Sequence, residues 1–350
     1  MELVSEVGQI LRSSTPAWLV DDVAAVGSVE PNRPLAPLTR YHLGGPADWF
    51  ARPSSVAQLA TLVARCRQEQ WPCRILGGGA NLLVDDDGID GVVVRLDEPS
   101  FSAVEWDVQP QDVRSSTIAC SPDNVLVRAG AGASLERFVH ESVKRGLSGL
   151  ECMAGIPGSV GGGIRMNAGG RWGEIGGAVR EVAVVESGSG GLKRLMPEQV
   201  GFEYRRTALG DAIVCEVLFE LTPADPEEVR RRYREILETK LAAQPPMSAR
   251  SAGCVFKNPP GDSAGRLIDA AGLKERRIGS AIVSPIHANF IVSDVGGNVG
   301  VSGDINKDGG AGQSGRASDV LELISLVRET VAQRFAVNLD LEIEVWRRAS

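Results

Sequence analysis

The 350-residue chain lacks a basic excess: 37 lysines and arginines stand against 45 aspartates and glutamates, for a formal net charge of -8 and a pI near 5.2. A protein that neutralises phosphates along a duplex needs the opposite balance, so nucleic acid is not expected as a partner and small-molecule ligands are favoured. Six cysteines (Cys66, Cys73, Cys120, Cys152, Cys215, Cys254) are scattered without a Cys-x-x-Cys pair, and the three histidines are isolated. Neither a disulfide framework nor a metal site is suggested, which leaves a thiol with a chemical role as the open possibility. No stretch approaches the ~18 apolar residues of a membrane span. Met1 to Val20 carries Glu2 and Glu6 and no unbroken apolar run, unlike a signal peptide. The cytoplasm is the expected compartment, with no membrane contact.

What is present is glycine, concentrated. Gly155 to Gly170 holds seven glycines in sixteen residues, with one proline and no acidic residue. Such a stretch is a poor helix or strand interior, yet it offers backbone amides that a phosphate or ring system can approach closely. A flexible linker is the competing reading, but Ile156, Val160, Ile164 and Met166 are apolar and want burial. A second cluster, Gly77-Gly78-Gly79-Ala80-Asn81-Leu82, follows the short strand Arg74-Ile75-Leu76. It can be a pyrophosphate cradle or a bare tight turn, and it lacks the Gly-x-Gly-x-x-Gly spacing of an ordinary dinucleotide fold.

With 43% hydrophobic residues the chain can fill the two or three cores that its length implies. Met1 to Pro37 reads as a helical leader ending in a tether with Pro31, Pro34 and Pro37. Helices are expected over Ser54 to Gln70, Ser134 to Arg145, Asp225 to Leu241, Ser263 to Leu273 and Ser318 to Phe335, the first, third and last behind a capping Ser or Asp. Strands are expected over Gly91 to Leu96, Val125 to Ala129, Val179 to Glu186 and Ala212 to Leu221. Phe101 to Asn124 and Gly296 to Arg316 read as insertions. Within the second, Asp304 to Gly309 fits the first half of a calcium loop, but Gly315 stands where a bidentate Glu is required, so no metal is expected.

Two further features bear on chemistry. Ser251 to Pro260 places Cys254 beside Gly253, three residues from Lys257 and four from Asn258, where a thiol can be reactive or simply buried. Lys240, near a helix end, can meet a phosphate or merely complement the helix dipole. Arg230-Arg231-Arg232 reads as a solvated face. In Leu341 to Val345 the period-two alternation puts Glu342 and Glu344 on one face, for which solvent exposure is the plain explanation.

Taken together and in order, Ile75 to Leu83, Gly155 to Gly162, Tyr204-Arg205, Ser251 to Pro259 and Leu341 to Val345 resemble the UDP-N-acetylenolpyruvoylglucosamine reductase (UDP-N-acetylmuramate dehydrogenase) family, over about Leu38 to Trp346. No extra tyrosine-bearing loop is evident, as in its shorter subclass. The resemblance implies an α+β protein with an FAD-binding fold of the vanillyl-alcohol oxidase (PCMH) type in two subdomains, 38–97 and 98–223. A leader, 1–37, would precede them, and an α+β substrate domain, 224–350, with a Gly-rich insertion at 295–317, would follow. It further implies non-covalent FAD at Gly77, Gly78, Gly79, Ala80, Asn81, Leu82, Gly155, Ile156, Pro157, Gly158, Ser159, Gly161 and Gly162. NADPH would be the co-substrate and UDP-N-acetylglucosamine enolpyruvate the partner of an expected monomer. By the same resemblance Arg205 and Glu344 sit at the substrate carboxylate, Cys254 donates a proton to C2, and Tyr204, Lys240 and Asn258 contact the substrate. The alternative keeps the fold and makes it an FAD-dependent oxidase or dehydrogenase of an alcohol or sugar. A nucleotide-binding regulator without turnover is a further alternative.

Overall fold

A computed structural model of the chain describes residues 17–20, 22–109, 121, 123–294 and 315–348. The half calcium loop and nearly all of the second insertion lie outside the described residues, as do residues 1–16 of the expected leader and 110–120 of the first insertion.

The first unit is a four-stranded sheet in the order Ser28–Pro34, Pro46–Arg52, Ile89–Arg95, Cys73–Leu76, antiparallel across its first pair and parallel across the other two. The stretch read as a Pro-rich tether is therefore the edge strand of this sheet. An edge tolerates Pro31 and Pro34 because a proline there forfeits no ladder bond on the solvent side. The helix Val56–Gln68 covers the sheet, with Ser55 accepting from Gln58 N as its cap and Leu59, Leu62, Val63 and Cys66 buried. The second unit is an antiparallel sheet in the order Leu192–Leu195, Val179–Val185, Ile213–Pro223, Val125–Gly130, Val104–Glu105. One hydrophobic core, including Leu62, Val94, Val127, Val184 and Phe219, runs between these two units.

The third unit packs Ala264–Ala270 and Ala317–Phe335 with a three-stranded sheet, Arg277–Ile278, Ala281–Val283 and Ile291–Ser293. Its core takes in Tyr41, Leu43 and Leu83 from the first unit, and the buried Tyr41 hydroxyl donates to Ile291 O at 3.0 Å. The strand Glu344–Trp346 leaves this unit to pair in parallel with Leu82–Val84, just past the first glycine cluster.

Two sequence expectations fail here for tertiary reasons. Ser318 does not cap the last helix. Asp86, on a loop of the first unit, accepts from Ala317 N at 2.7 Å and Ser318 N at 3.0 Å, so the cap comes from elsewhere in the chain. Pro226–Ala243 is capped by Asp225 as expected, but Leu241, assigned to its buried stripe, is 48% exposed. The helix packs on Leu135–Lys144 and Glu151–Met153 of the second unit, a contact that buries Val229 and Ile236 and not Leu241. Its Arg231 and Arg232 pair with Glu235 and Glu228 one turn away on an exposed face, the solvated surface expected of the arginine run.

Candidate active site

The two glycine clusters meet. A Cβ added at Gly78 would stand 2.5 Å from Gly158 Cα, and one at Gly77 would stand 2.7 Å from Ser159 Oγ. Neither contact is tolerable for a real side chain, so both clusters present bare backbone. The middle of the second cluster is a short helix, Val160–Arg165, which corrects the expectation that its glycines would break regular structure. Ser159 Oγ caps it by accepting from Gly162 N, and Gly161 lies so close to Ala131 that a Cβ would come within 2.8 Å of that methyl. Close packing, rather than helix propensity, dictates glycine here.

Two adjoining cavities open along this seam. One of about 670 Å³ lies between the first two units, and one of about 340 Å³ reaches towards the third. Every residue expected at the cofactor, from Gly77 to Leu82 and from Gly155 to Gly162, lines one or both. Backbone walls in place of side chains and a combined volume suited to a large ligand fit FAD. Neither cluster carries a His or Cys, although Cys66 and Cys73 line the larger cavity elsewhere.

The smaller cavity gathers Arg205, Cys254, Lys240, Glu342 and Glu344. Arg205 sits in a tight turn with φ at +56°, a left-handed conformation that costs a non-glycine residue energy. Its Nη2 donates to Gly169 O at 2.7 Å and its Nε to Glu342 Oε1 at 2.6 Å, while Nη1 is buried with no partner. A buried unpaired guanidinium nitrogen is costly, and an anion in the cavity would satisfy it. Cys254 follows Gly253, whose φ is +81°, in a turn bridged to Phe290. Burial, reinforced by the charge of Glu342, pushes its thiol up to about 12, so it holds its proton at neutral pH. Asn289 fixes this turn, accepting from Phe256 N at 2.9 Å and donating to Phe256 O at 2.8 Å through its side chain.

Lys240 Nζ donates to Ala154 O at 2.7 Å and Cys152 O at 3.2 Å, tying the helix end to the start of the second glycine cluster. Burial brings its ammonium down to about 8, and the neighbouring Arg205 charge acts in the same direction. Glu342 is the residue that sequence reasoning missed. The alternation that paired it with Glu344 does not hold, because the strand begins only at Glu344. Glu342 is largely buried against Arg205, with its carboxyl raised by that burial, whereas Glu344 is exposed and accepts from Trp346 Nε1 at 3.3 Å. Glu344 still lines both cavities, at their junction. Two other expected contacts stand apart. Tyr204 is 47% exposed, its ring 5.0 Å from the Arg205 guanidinium carbon, and Asn258 lines neither cavity, its Oδ1 accepting from Ala264 N at the start of a helix.

Asn167, also unflagged, is buried with φ at +41° and donates to Glu174 and to Glu203 O, holding the turn that carries Arg205. Only its place within the glycine-rich stretch could have drawn attention to it. Among the described residues no cluster of His, Cys, Asp and Glu is placed to hold a metal ion, and no helix is long and apolar enough to cross a membrane.

Residues 47–195 match the family described as FAD binding domain, and residues 244–300 match that described as UDP-N-acetylenolpyruvoylglucosamine reductase, C-terminal domain. UDP-N-acetylenolpyruvoylglucosamine reductase 2 of Symbiobacterium thermophilum is 39% identical over 322 residues, covering 91% of this chain and 92% of that protein. The reductase of Rubrobacter xylanophilus is 36% identical over 317 residues, covering 90% and 94%. Among solved structures, the UDP-N-acetylenolpyruvylglucosamine reductase of Thermus caldophilus aligns with a TM-score of 0.69 at 35% identity, covering 91% of this chain and 98% of that one.

Proposed function

The chain belongs to the UDP-N-acetylenolpyruvoylglucosamine reductase family, an FAD-dependent oxidoreductase that reduces UDP-N-acetylglucosamine enolpyruvate with NADPH in peptidoglycan precursor synthesis, and we propose how its residues divide that work. Gly77 to Leu82 and Gly155 to Gly162 hold FAD non-covalently through backbone groups. Bound there, FAD would supply hydride transfer, from NADPH to C3 of the enolpyruvyl group. The remaining task for the protein is to stabilise the negative charge that develops on the substrate carboxylate and to protonate C2.

The single observation that carries this division is the buried, unpartnered Nη1 of Arg205, in a residue that lines the same cavity as Cys254. Arg205 binds the substrate carboxylate through that nitrogen, a donor fixed before the charge appears and therefore effective where the charge grows. Cys254, protonated at neutral pH, supplies the proton to C2. Lys240 contacts the substrate diphosphate, whereas Tyr204 and Asn258, which line neither cavity, are given no contact here. Glu344, which lines both cavities, is assigned to the same carboxylate. The cofactor falls to the first two units, and the substrate to the face where Arg205 and Lys240 meet Cys254 of the third unit, in a cytoplasmic monomer.

An oxidase of an alcohol or sugar is not favoured: such a reaction has no use for a protonated thiol beside an anion-seeking arginine. The test is a visible spectrum of the purified protein taken anaerobically through addition of NADPH and then UDP-N-acetylglucosamine enolpyruvate. The yellow flavin should bleach and then recover. A flavin that bleaches but ignores the enolpyruvate would overturn the substrate assignment.

A further inference from the structure

Arg205 needs more than burial to work. Its backbone is left-handed, its turn is exposed at Tyr204 and Arg206, and its guanidinium must cross to a cavity shared with the third unit. Three planar nitrogens define its aim. Nη2 is spent on Gly169 O and Nε on Glu342 Oε1, which fixes the guanidinium plane and leaves Nη1 as the free donor.

Glu342 is itself held at both ends of the site. Its backbone N donates to Val255 O at 2.8 Å, the residue after Cys254, and its carbonyl accepts from Asn81 Nδ2 at 2.9 Å in the first glycine cluster. The next alternate residue, Glu344, donates through its N to Asn81 O at 2.9 Å. The chain at Glu342 therefore touches the proton-donor turn, the cofactor cradle and the arginine together. A merely structural ion pair would be expected to use up the guanidinium; this one takes a single nitrogen and leaves Nη1 buried without a hydrogen-bond partner.

We propose that Glu342 is the positioning residue for Arg205, its carboxylate setting the guanidinium plane so that Nη1 meets the substrate carboxylate in register with Cys254 and the flavin cradle. The inference rests on the assignment of Arg205 to that carboxylate. Its action is by acceptor geometry at Nε and not by proton transfer. Loss of that acceptor frees the guanidinium to rotate, and a misplacement of about 1 Å can cost roughly 100-fold in rate.

The test separates the two half-reactions by stopped-flow flavin absorbance in wild type, Glu342→Ala and Glu342→Gln holoenzymes. Bleaching by NADPH should be the same in all three. Reoxidation at saturating enolpyruvate should fall roughly 100-fold in Glu342→Ala and recover to within about 5-fold of wild type in Glu342→Gln, whose amide oxygen can still accept from Nε. Equal losses in Ala and Gln would overturn positioning in favour of a charge or proton role, and wild-type reoxidation in Glu342→Ala would overturn any role. If Glu342→Ala does not retain FAD, Glu342→Asp decides: its carboxylate is one methylene short, so reoxidation should slow about 10-fold or more with bleaching intact, and an unchanged rate rejects the proposal. Failure of the wild type to reoxidise with the enolpyruvate would instead strike the substrate assignment itself.

Discussion

Gly78 and Gly158 lie back to back: the Cβ that Gly78 lacks would stand 2.5 Å from Gly158 Cα. The two cradles can share a seam only because neither residue carries a side chain there. Gly78→Ala should therefore push the clusters apart and cost most of the bound FAD, read as the flavin absorbance per protein after purification. Gly170→Ala is the control, since a Cβ there meets nothing within 4 Å and FAD content should stay at the wild-type level.

Cys254 gives a prediction about protonation as well as rate. Cys254→Ala should slow flavin reoxidation by the enolpyruvate by about 10²–10⁴-fold, the usual worth of a positioned acid, while bleaching by NADPH is unchanged. Because burial raises the thiol to about 12, iodoacetamide at pH 7.5 should leave Cys254 unmodified, as judged by peptide mass. Rapid alkylation there would mean a thiolate, and the proton-donor role would fail.

Lys240 should leave its mark on the pH dependence of KM. Its ammonium, lowered to about 8 by burial and by Arg205, loses charge as pH rises through that value in the free enzyme. KM for the nucleotide sugar should consequently climb above pH 8 while kcat holds. Lys240→Met should raise KM by about 10-fold or more at pH 7, in line with loss of a charged hydrogen bond, and should flatten the pH dependence. A KM that climbs equally in the variant would remove Lys240 from the diphosphate.

Asp86 tests the docking of the third unit. Its carboxylate caps Ala317–Phe335 from the first unit, and Asp86→Ala should cost about 1 kcal/mol of stability, measured by denaturant unfolding at pH 7. Burial works to raise this carboxyl, but the hydrogen bonds from Ser318 and Ala317 outweigh it and hold it below the usual range. A depressed carboxyl stabilises above its unfolded value of about 3.9 and loses that contribution as pH falls through the folded value. The gap between wild type and variant should thus be full at pH 7 and close below about pH 4.

The site was legible where function is written in local backbone demands. Glycine clusters must be glycine wherever they occur, so Gly77 to Gly79 and Gly155 to Gly163 announced the seam, and the helices read from Ser54, Ser134, Asp225 and Ser263 start there or, in the first case, one residue later at the cap Ser55. Glu342 was illegible for the opposite reason. An alternation rule treats Leu341 to Val345 as one strand, yet pairing with Leu82–Val84 begins only at Glu344, so the residue two places earlier is free to turn into the cavity.

By itself the sequence determined which backbones could lie bare, where helices begin, and, through the order of its motifs, the family and its flavin chemistry. Only tertiary structure decided which groups meet across the chain: that Pro31 and Pro34 lie in an edge strand, that Asp86 caps a helix far along the sequence, and that Arg205 is held by Glu342 with one nitrogen left over. These are contacts between residues remote in sequence. Local propensity carries no information about such contacts, because their partners are chosen by the packing of whole units and not by their neighbours along the chain.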